Sequence, residues 1–363
     1  MQGHTIATPG RCAITALLVL AAGSAGAASF DCTKAKSPTE HAICTSPRLS
    51  ALDDRLSQTY ERALHALSPE GAAQLKESQR QWLRYVPVAC TERPEGKGHK
   101  GRGVLSAECL EHEFGLRVDE LDQAALRIGP WLFTRVDRYL AQLAPNDDEL
   151  GQHPGVVTQH VAYPQIDAPR TPTTIAWNKA RVQSEPGPAD TDTDTDTDTD
   201  ADADAEALSD EDGDYRLGCV GDRFVSVETT SSEYVHGTPH GMYGHEVSNS
   251  LLVPALRKMT AADLFTPSSG WKTRLPALFW DVYRHQQDAV TDMRSMEEAI
   301  RESAANPDAW LPTPQGLQIS FDAGDGGCYA CNPGPITVPW VILKPMLATP
   351  EFAACKAPPA AKP

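Results

Sequence analysis

Apolar residues recur at steps of three and four positions in the first third of the chain, a spacing that predicts three amphipathic helices. The first begins at Pro47 or Ser50 and runs for about five turns. Its apolar face comprises Leu49, Leu52, Leu56, Tyr60, Leu64 and Leu67. A second helix follows Pro69 and ends at Pro87, because proline lacks the N–H that a helix interior needs. A third begins near Ser106, so the pattern predicts a helical N-terminal domain.

The pattern changes after residue 128 to stretches rich in β-branched and aromatic residues, followed by helical spacing and later strands. Strands are predicted at 131–136, 156–163, 215–220, 224–235, 242–253 and 316–321. Helices are predicted at 261–265, 275–285, 293–304 and 340–347. Strands first and helices later are typical of an α+β fold and not of a doubly wound sheet. The fold class is therefore α+β overall, with a three-helix module at 28–127 and a mixed sheet domain at 128–355.

The first 27 residues have the pattern of a cleavable signal peptide. Arg11 supplies the positive charge, and the apolar stretch 13–22 is too short to span a bilayer. Ala25, Gly26 and Ala27 offer the small residues that a signal peptidase needs. We therefore expect a periplasmic or secreted protein, with no transmembrane segment in the mature chain.

Eight cysteines follow the signal peptide, four in each predicted domain. They are Cys32, Cys44, Cys90, Cys109, Cys219, Cys328, Cys331 and Cys355. An even set behind an export signal predicts structural disulfides. Cys328 and Cys331 have redox spacing, but Pro333 and Pro335 exclude the helix that lowers the thiol pKa in such sites. We expect them to form disulfides with Cys219 and Cys355, in a pairing that the sequence leaves open.

Residues 190–214 contain thirteen acidic residues and no Lys or Arg. This stretch contributes -13 to the formal net charge of -17, so long-range electrostatics depend on it and not on either domain. Asp alternates with Thr and then Ala, and like charges at every second position oppose a strand. The sequence therefore predicts a disordered acidic insertion at 184–214. A calcium loop around Gly213 is disfavoured, because Leu208 and Cys219 would stand at its first and last ligand positions.

No catalytic constellation emerges from the sequence, which has neither a Gly-x-Ser-x-Gly elbow nor a nucleotide-binding glycine loop. His236, His240 and His245 are close in sequence, but they belong to a Gly-Pro turn and not to one helical face, so a hairpin is favoured over a zinc site. The basic loop 93–103 has no interleaved aromatic residue, which argues against nucleic-acid binding. We expect no enzyme activity, no catalytic residue, no metal and no cofactor.

The turn at 233–245 is the predicted partner-binding segment of the second domain. Two glycines and a proline lie between two predicted strands, which exposes side chains at the tip. The rings expected to contact a partner are Tyr234, His236, His240, Tyr243 and His245. Aromatic rings of this kind are frequent anchors of protein interfaces. The alternative is that the glycines and His240 only shape the hairpin.

A set of motifs in the first domain resembles the LprI-like lysozyme-inhibitor N-terminal domain over about 29–126. The motifs are Phe30-Asp31-Cys32, Glu40 with Ile43-Cys44, Leu49 with Leu52-Asp53, Gln79 with Trp82, Cys90, and Cys109-Leu110 with Arg117 and Leu121. One departure is Val86-Pro87, where members of this family commonly carry Arg-Asp. Sequence order within the resemblance suggests the bridges Cys32–Cys44 and Cys90–Cys109, although four cysteines allow three connectivities.

Five short segments of the second domain resemble the extracellular domain of RsiV-type anti-sigma factors and some peptidoglycan deacetylases over 128–350. They are 161–166, 236–241, 262–265, 316–321 and 336–339. In the anti-sigma proteins this domain binds lysozyme. The two resemblances imply an exported binding protein that recognises lysozyme or another wall-acting protein and acts by steric occlusion. The alternatives are a peptidoglycan-associated enzyme or accessory domain, and an envelope stress protein of other function.

Overall fold

The computed structural model describes residues 28–92, 104–143, 156–183, 209–236, 238–286, 293–321 and 334–355, so the predicted signal peptide lies outside them. The helices are α1 Pro38–Thr45, α2 Pro47–Ala66, α3 Pro69–Ala89, α4 Ala107–Asp122, α5 Pro172–Gln183, α6 Ala261–Leu264, α7 Trp271–Gln286, α8 Met293–Ala305 and α9 Trp340–Leu343. The strands are β1 Thr91–Glu92, β2 Val104–Leu105, β3 Ala125–Ile128, β4 Trp131–Leu143, β5 Val156–Ala168, β6 Ser209–Val220, β7 Phe224–Val235, β8 Met242–Leu251, β9 Arg257–Lys258, β10 Trp310–Pro312, β11 Gly316–Ile319 and β12 Ile336–Pro339. Within these ranges, no helix has both the length and the apolar character needed to cross a membrane. The predicted α+β fold class is confirmed.

The three predicted helices form as α2, α3 and α4. Each begins after a serine, Ser46, Ser68 or Ser106, whose hydroxyl accepts a hydrogen bond from the backbone N–H three residues further on. Their apolar faces meet in one core, where Trp82 packs edge-on against Phe114 with ring centroids 4.9 Å apart. The helical period of the sequence therefore identified α2, α3 and α4 correctly, but it missed the short helix α1, so the described part of this module has four α-helices and not the predicted three.

The prediction that the second helix ends at Pro87 is wrong, because α3 continues to Ala89. The last turn is held by other bonds: the Cys90 N–H donates to the Val86 carbonyl at 3.0 Å, and Thr91 Oγ1 donates to the Pro87 carbonyl at 2.6 Å. A proline this close to the helix end removes a single helical hydrogen bond, the one that the Leu83 carbonyl would accept. The helix tolerates that loss.

Three disulfides are present among the described residues: Cys32–Cys44, Cys90–Cys109 and Cys219–Cys355. The first two are the pairs that sequence order suggested, and they join the N-terminal segment to α1 and the end of α3 to α4. Cys219 and Cys355 bond to each other, so the bridges expected from them to Cys328 and Cys331 are wrong. Cys328 and Cys331 lie outside the described residues.

A seven-stranded sheet with strand order β3-β4-β5-β6-β7-β8-β9 forms the second domain, beside a three-stranded sheet of β10, β11 and β12. Neighbouring strands of the large sheet are antiparallel except β5 and β6, which pair in parallel where Gln159 faces Glu211. Helices α7 and α8 cover a second core that buries Phe265, Phe279 and Ile300. The parallel pairing of β5 with β6 places the acidic start of β6 next to the middle of β5.

The helical module packs directly against the large sheet through α3. Ser78 Oγ donates to the Asp137 carbonyl at 2.8 Å and accepts from the Asp137 N–H at 3.2 Å. The approach is close at Gly71, where a Cβ atom would lie 2.6 Å from the Asp167 carboxylate. The two predicted domains are therefore joined by buried polar contacts and not only by the chain.

The predicted disordered insertion extends too far, because β6 begins at Ser209 and residues 209–214 belong to a strand. The local pattern suggested repulsion between Asp210, Asp212 and Asp214, but each carboxylate has a partner from another strand or from its own hairpin. Cations and N–H donors distant in sequence therefore override the local preference against a strand. Residues 184–208 lie outside the described residues.

Candidate functional site

The predicted partner-binding segment is a hairpin between β7 and β8. Thr238 closes it, with its N–H 3.1 Å and its hydroxyl 2.7 Å from the Val235 carbonyl. A Cβ atom at Gly241 would lie only 2.8 Å from the Glu233 carbonyl oxygen, so the turn requires glycine there. The strands therefore approach each other closely at the tip, as the glycines in the sequence predict.

The five predicted contact residues do not all reach the surface. Tyr243 is 61% exposed and Tyr234 is 38% exposed, His240 is exposed, and His245 is half-buried. His236 departs from the expectation: its side chain is only 10% exposed, and Nε2 lies 2.9 Å from an Asp210 carboxylate oxygen. His236 therefore fixes the hairpin to β6 and does not serve as an exposed anchor.

A pocket of about 240 Å³ lies beside this hairpin, between the sheet and α3. Its lining includes four carboxylates, Asp210, Glu211, Asp212 and Glu233, and three tyrosines, Tyr85, Tyr234 and Tyr243. Tyr85 comes from α3, so both domains contribute to the wall. We call this feature the acidic pocket.

Alternation along β6 places Asp210, Asp212 and Asp214 on one side of the strand. Asp210 Oδ1 accepts hydrogen bonds from the N–H and the hydroxyl of Thr158, at 2.7 and 2.9 Å. Asp212 Oδ1 lies 3.0 Å from His160 Nδ1, and Asp214 Oδ1 accepts from an Arg135 N–H at 2.7 Å. Asp210 and Asp212 are thus held by the neighbouring strand β5, and Asp214 is held by β4.

Glu211 and Glu233 face each other in the register of β6 and β7. Burial and the neighbouring Glu233 carboxylate raise the pKa of Glu211 above its usual range. Like charges directly opposite each other are unfavourable in a sheet. A cation placed beside them would relieve this repulsion.

A buried charge network lies behind the acidic pocket, centred on Asp137 of β4. Arg117 Nη1 donates to Asp137 Oδ2 at 2.9 Å, and Arg135 Nε donates to Asp137 Oδ1 at 2.7 Å. His160 Nε2 lies 3.3 Å from the same Oδ1 atom. Arg117, Arg135 and Asp137 are 0%, 3% and 1% exposed, so this is a fully desolvated network. We call it the junction network, because Arg117 belongs to α4 and the other members to the sheet.

Polar groups of α3, α4 and β4 complete the junction network. Arg117 also donates to Gln79 at 3.0 Å, to Glu120 at 2.9 Å and to the Tyr139 hydroxyl at 3.0 Å. Tyr139 donates to Glu120 and stacks on the His160 ring with centroids 4.5 Å apart. Gln79 and Arg117, which are separate motif positions in the sequence, therefore act together at the contact with the sheet.

The junction network fixes its members in their charged forms. Burial alone would lower the pKa of His160, but the hydrogen bonds to Asp137 and Asp212 raise it to about 10. Burial opposes ionisation of Asp137 as well, yet Arg135 and Arg117 hold its pKa well below the usual range. Groups locked in this way near neutral pH suit a structural role better than general acid–base catalysis.

Glu120, Asp137 and His160 bring their ligand atoms within 4.8 Å of one another, a spacing that a metal ion could use. The donor set does not fit one, because both Asp137 oxygens already accept hydrogen bonds from guanidinium groups. A divalent cation there would lie beside two arginine cations. The cluster is better described as a closed set of ion pairs.

A family model described as "Lysozyme inhibitor LprI" matches residues 32–121. That range corresponds to the helical module and supports the resemblance proposed from its motifs. Two solved structures of the DUF3298 family are similar to this chain. The protein from Bacteroides fragilis is 17% identical with a TM-score of 0.40, and the one from Pseudomonas aeruginosa is 14% identical with a TM-score of 0.39. Each similarity covers 62% of this chain and 97% of the other.

No curated protein matches the chain. The RsiV-like resemblance of the second domain is not confirmed by these comparisons and stays a prediction.

Proposed function

We propose that this protein is an exported binding protein that recognises a lysozyme or another wall-acting enzyme and inhibits it by steric occlusion. The observation that carries the proposal is the match of residues 32–121 to a family of lysozyme inhibitors. The disulfides of the helical module support an oxidising compartment, either the periplasm or the cell exterior. Occlusion needs only a surface that fits the enzyme, and no chemistry.

The partner surface in this proposal is the acidic pocket together with the hairpin beside it. A c-type lysozyme is strongly basic, so a lysine or arginine side chain of the enzyme would complement Asp210 and Asp212, which the strand register places on the same face of the sheet as Tyr234 and Tyr243. Tyr234 and Tyr243 stand at the same pocket and offer ring faces to such a cation. Tyrosine is among the residues that recur at the energetic hot spots of interfaces.

The proposal assigns separate roles to the parts of the chain. Residues 28–127 form the LprI-like module, 128–355 form the RsiV-like domain, and the acidic stretch acts as a steering element. A tract of excess negative charge raises the encounter rate with a basic partner and adds little short-range affinity. The acidic pocket then supplies the specific contact.

The experiment is a binding and inhibition assay with c-type lysozyme and the mature protein. The wild type should bind and should slow the lysis of a peptidoglycan suspension. Tyr243→Ala should lower affinity at least tenfold and leave the thermal midpoint unchanged, because the side chain is exposed and lines the pocket. The matched control is Met242→Ala, which is also 61% exposed but points to the opposite face of β8.

Three outcomes contradict parts of the proposal. If the wild-type protein neither binds nor inhibits lysozyme, the proposed function is wrong. Cleavage of peptidoglycan by the protein alone favours the enzyme alternative. If Tyr243→Ala and His240→Ala both bind like the wild type while folded, the interface lies on the helical module instead.

A further inference from the structure

A second pocket, of about 440 Å³, opens within the helical module and shares no lining residue with the acidic pocket. Its apolar wall comprises Ile43 of α1, Leu56 of α2, Trp82 and Val86 of α3, and Phe114 of α4. Each is at most 7% exposed, so the pocket reaches into the core of the module. Ligand pockets measure about 300–1,000 Å³, and a cavity of about 150 Å³ already holds benzene. The volume therefore suits a ligand about three times the size of benzene.

The polar part of the lining carries negative charge only. Glu40 and Asp53 are its charged residues, and neither Lys nor Arg occurs among the residues described as lining it. Glu40 accepts the N–H groups of Lys36 and Ser37 at 2.7 and 2.8 Å, and Asp53 accepts the Ser29 N–H at 2.9 Å. These carboxylates are fixed in place and would repel an anionic head group. A fatty acid is thereby disfavoured.

Leu83 and Pro87 of α3 also line this pocket. Both add apolar surface to the lining, so the charged acceptors that it offers a head group are the Glu40 and Asp53 carboxylates.

We propose that this pocket binds a single aliphatic chain whose head group donates hydrogen bonds and carries no negative charge. The deep apolar wall contacts the chain, and the Glu40 and Asp53 carboxylates accept hydrogen bonds from the head group. This site is separate from the acidic pocket, so it does not depend on lysozyme binding.

The test uses terminally brominated dodecanol, because bromine quenches tryptophan fluorescence on contact and Trp82 forms part of the wall. The mature protein should show saturable quenching with one binding site. Brominated dodecanoate, which has the same chain and an anionic head, should bind at least tenfold more weakly. Trp82→Phe should abolish the saturable quenching while calorimetry still detects dodecanol binding.

A charge-gain variant tests the head-group argument without disturbing the core. Leu83 is 56% exposed and lines the pocket, so Leu83→Lys should raise the affinity for dodecanoate at least fivefold. Leu116→Lys is the control, because Leu116 is 44% exposed on α4 and does not line the pocket. It should leave both affinities unchanged.

The absence of saturable quenching in the wild type overturns the proposal. So does quenching that survives Trp82→Phe, which places the ligand elsewhere, or an equal effect of Leu116→Lys. Displacement of bound dodecanol by lysozyme would identify the pocket as a protein interface and would also overturn it. Circular dichroism checks that Trp82→Phe is folded. If this variant is unfolded, the dodecanoate affinities of Leu83→Lys and Leu116→Lys decide whether the ligand occupies the pocket.

Discussion

Substitution of Asp137 by asparagine should destabilise the whole protein, because this carboxylate neutralises three cations at the contact between the helical module and the sheet. Arg117, Arg135 and His160 lie 2.9, 2.7 and 3.3 Å from its oxygens. Asparagine keeps the shape of the side chain but removes its charge. The cations then remain buried with less negative charge beside them.

The magnitude follows from the burial of the partners. Removing one member of a buried ion pair typically costs about 3–5 kcal/mol. Two of the remaining cations, Arg117 and Arg135, are 0% and 3% exposed, which places the cost in the upper part of this range. Glu120 and Asp214 still contact the two arginines and offset part of it. We expect a loss of about 4 kcal/mol, a large fraction of a total stability of about 5–15 kcal/mol.

The assay is equilibrium urea unfolding, followed by circular dichroism and by tryptophan fluorescence. Asp122→Asn is the matched control, because Asp122 also pairs with two arginines, Arg55 at 3.7 Å and Arg62 at 3.0 Å, but at the surface. It should cost no more than about 1 kcal/mol. If Asp137→Asn costs as little as this control, the junction network does not hold the two parts together.

Two further predictions concern charge. The folded pKa of His160, about 10, exceeds its unfolded value of about 6.5, so its stabilisation is fully present below pH 6.5 and is lost as pH rises through 10. The free energy of unfolding of the wild type should therefore fall faster between pH 7 and pH 10 than that of His160→Gln, and parallel curves would exclude the imidazolium as a source of stability. Replacing the Asp residues at 190–204 by Asn should slow association with lysozyme at low salt and leave dissociation nearly unchanged. An unchanged association rate would show that the acidic stretch does not steer the partner.

The spacing of apolar residues and the helix-capping residues were sufficient to predict the elements that are specified by signals nearby in the sequence. Helices α2 and α3 begin at the predicted prolines, and α4 begins directly after Ser106, since serine caps and apolar spacing are local signals. Strand β7 has the predicted bounds, 224–235. Strands β4 and β5 continue beyond their predicted ends, because polar residues there pair across the sheet.

The start of β6 could not be predicted in this way. Its Asp residues repel one another locally, and the groups that compensate them are Thr158, His160 and Arg135, which lie 50 or more residues earlier. The pairing of β4 with β5 and the parallel pairing of β5 with β6 bring these groups together.

The junction network left one signal in the sequence. Arg117 lies on the same helical face as Leu110, Phe114 and Leu121, which are buried. A guanidinium on an apolar face implies a buried carboxylate partner, because an unpaired buried charge is prohibitively unfavourable. That reasoning predicts a partner but cannot identify it as Asp137, since strand register is set by the folded sheet.

The isolated fragment 28–127 tests whether the helical module depends on the sheet. Its core of Leu49, Leu75, Trp82 and Leu110 lies within the module, and its two disulfides close within it as well. Removing the sheet exposes Arg117 to water, which differs from Asp137→Asn because the cation is solvated and not left buried without its partner. We therefore expect an oxidised, helical fragment without alkylatable thiols, which loses about 2–5 kcal/mol on reduction. A fragment that lacks helical dichroism, or that alkylates without reductant, would show that the sheet is required for the module to fold.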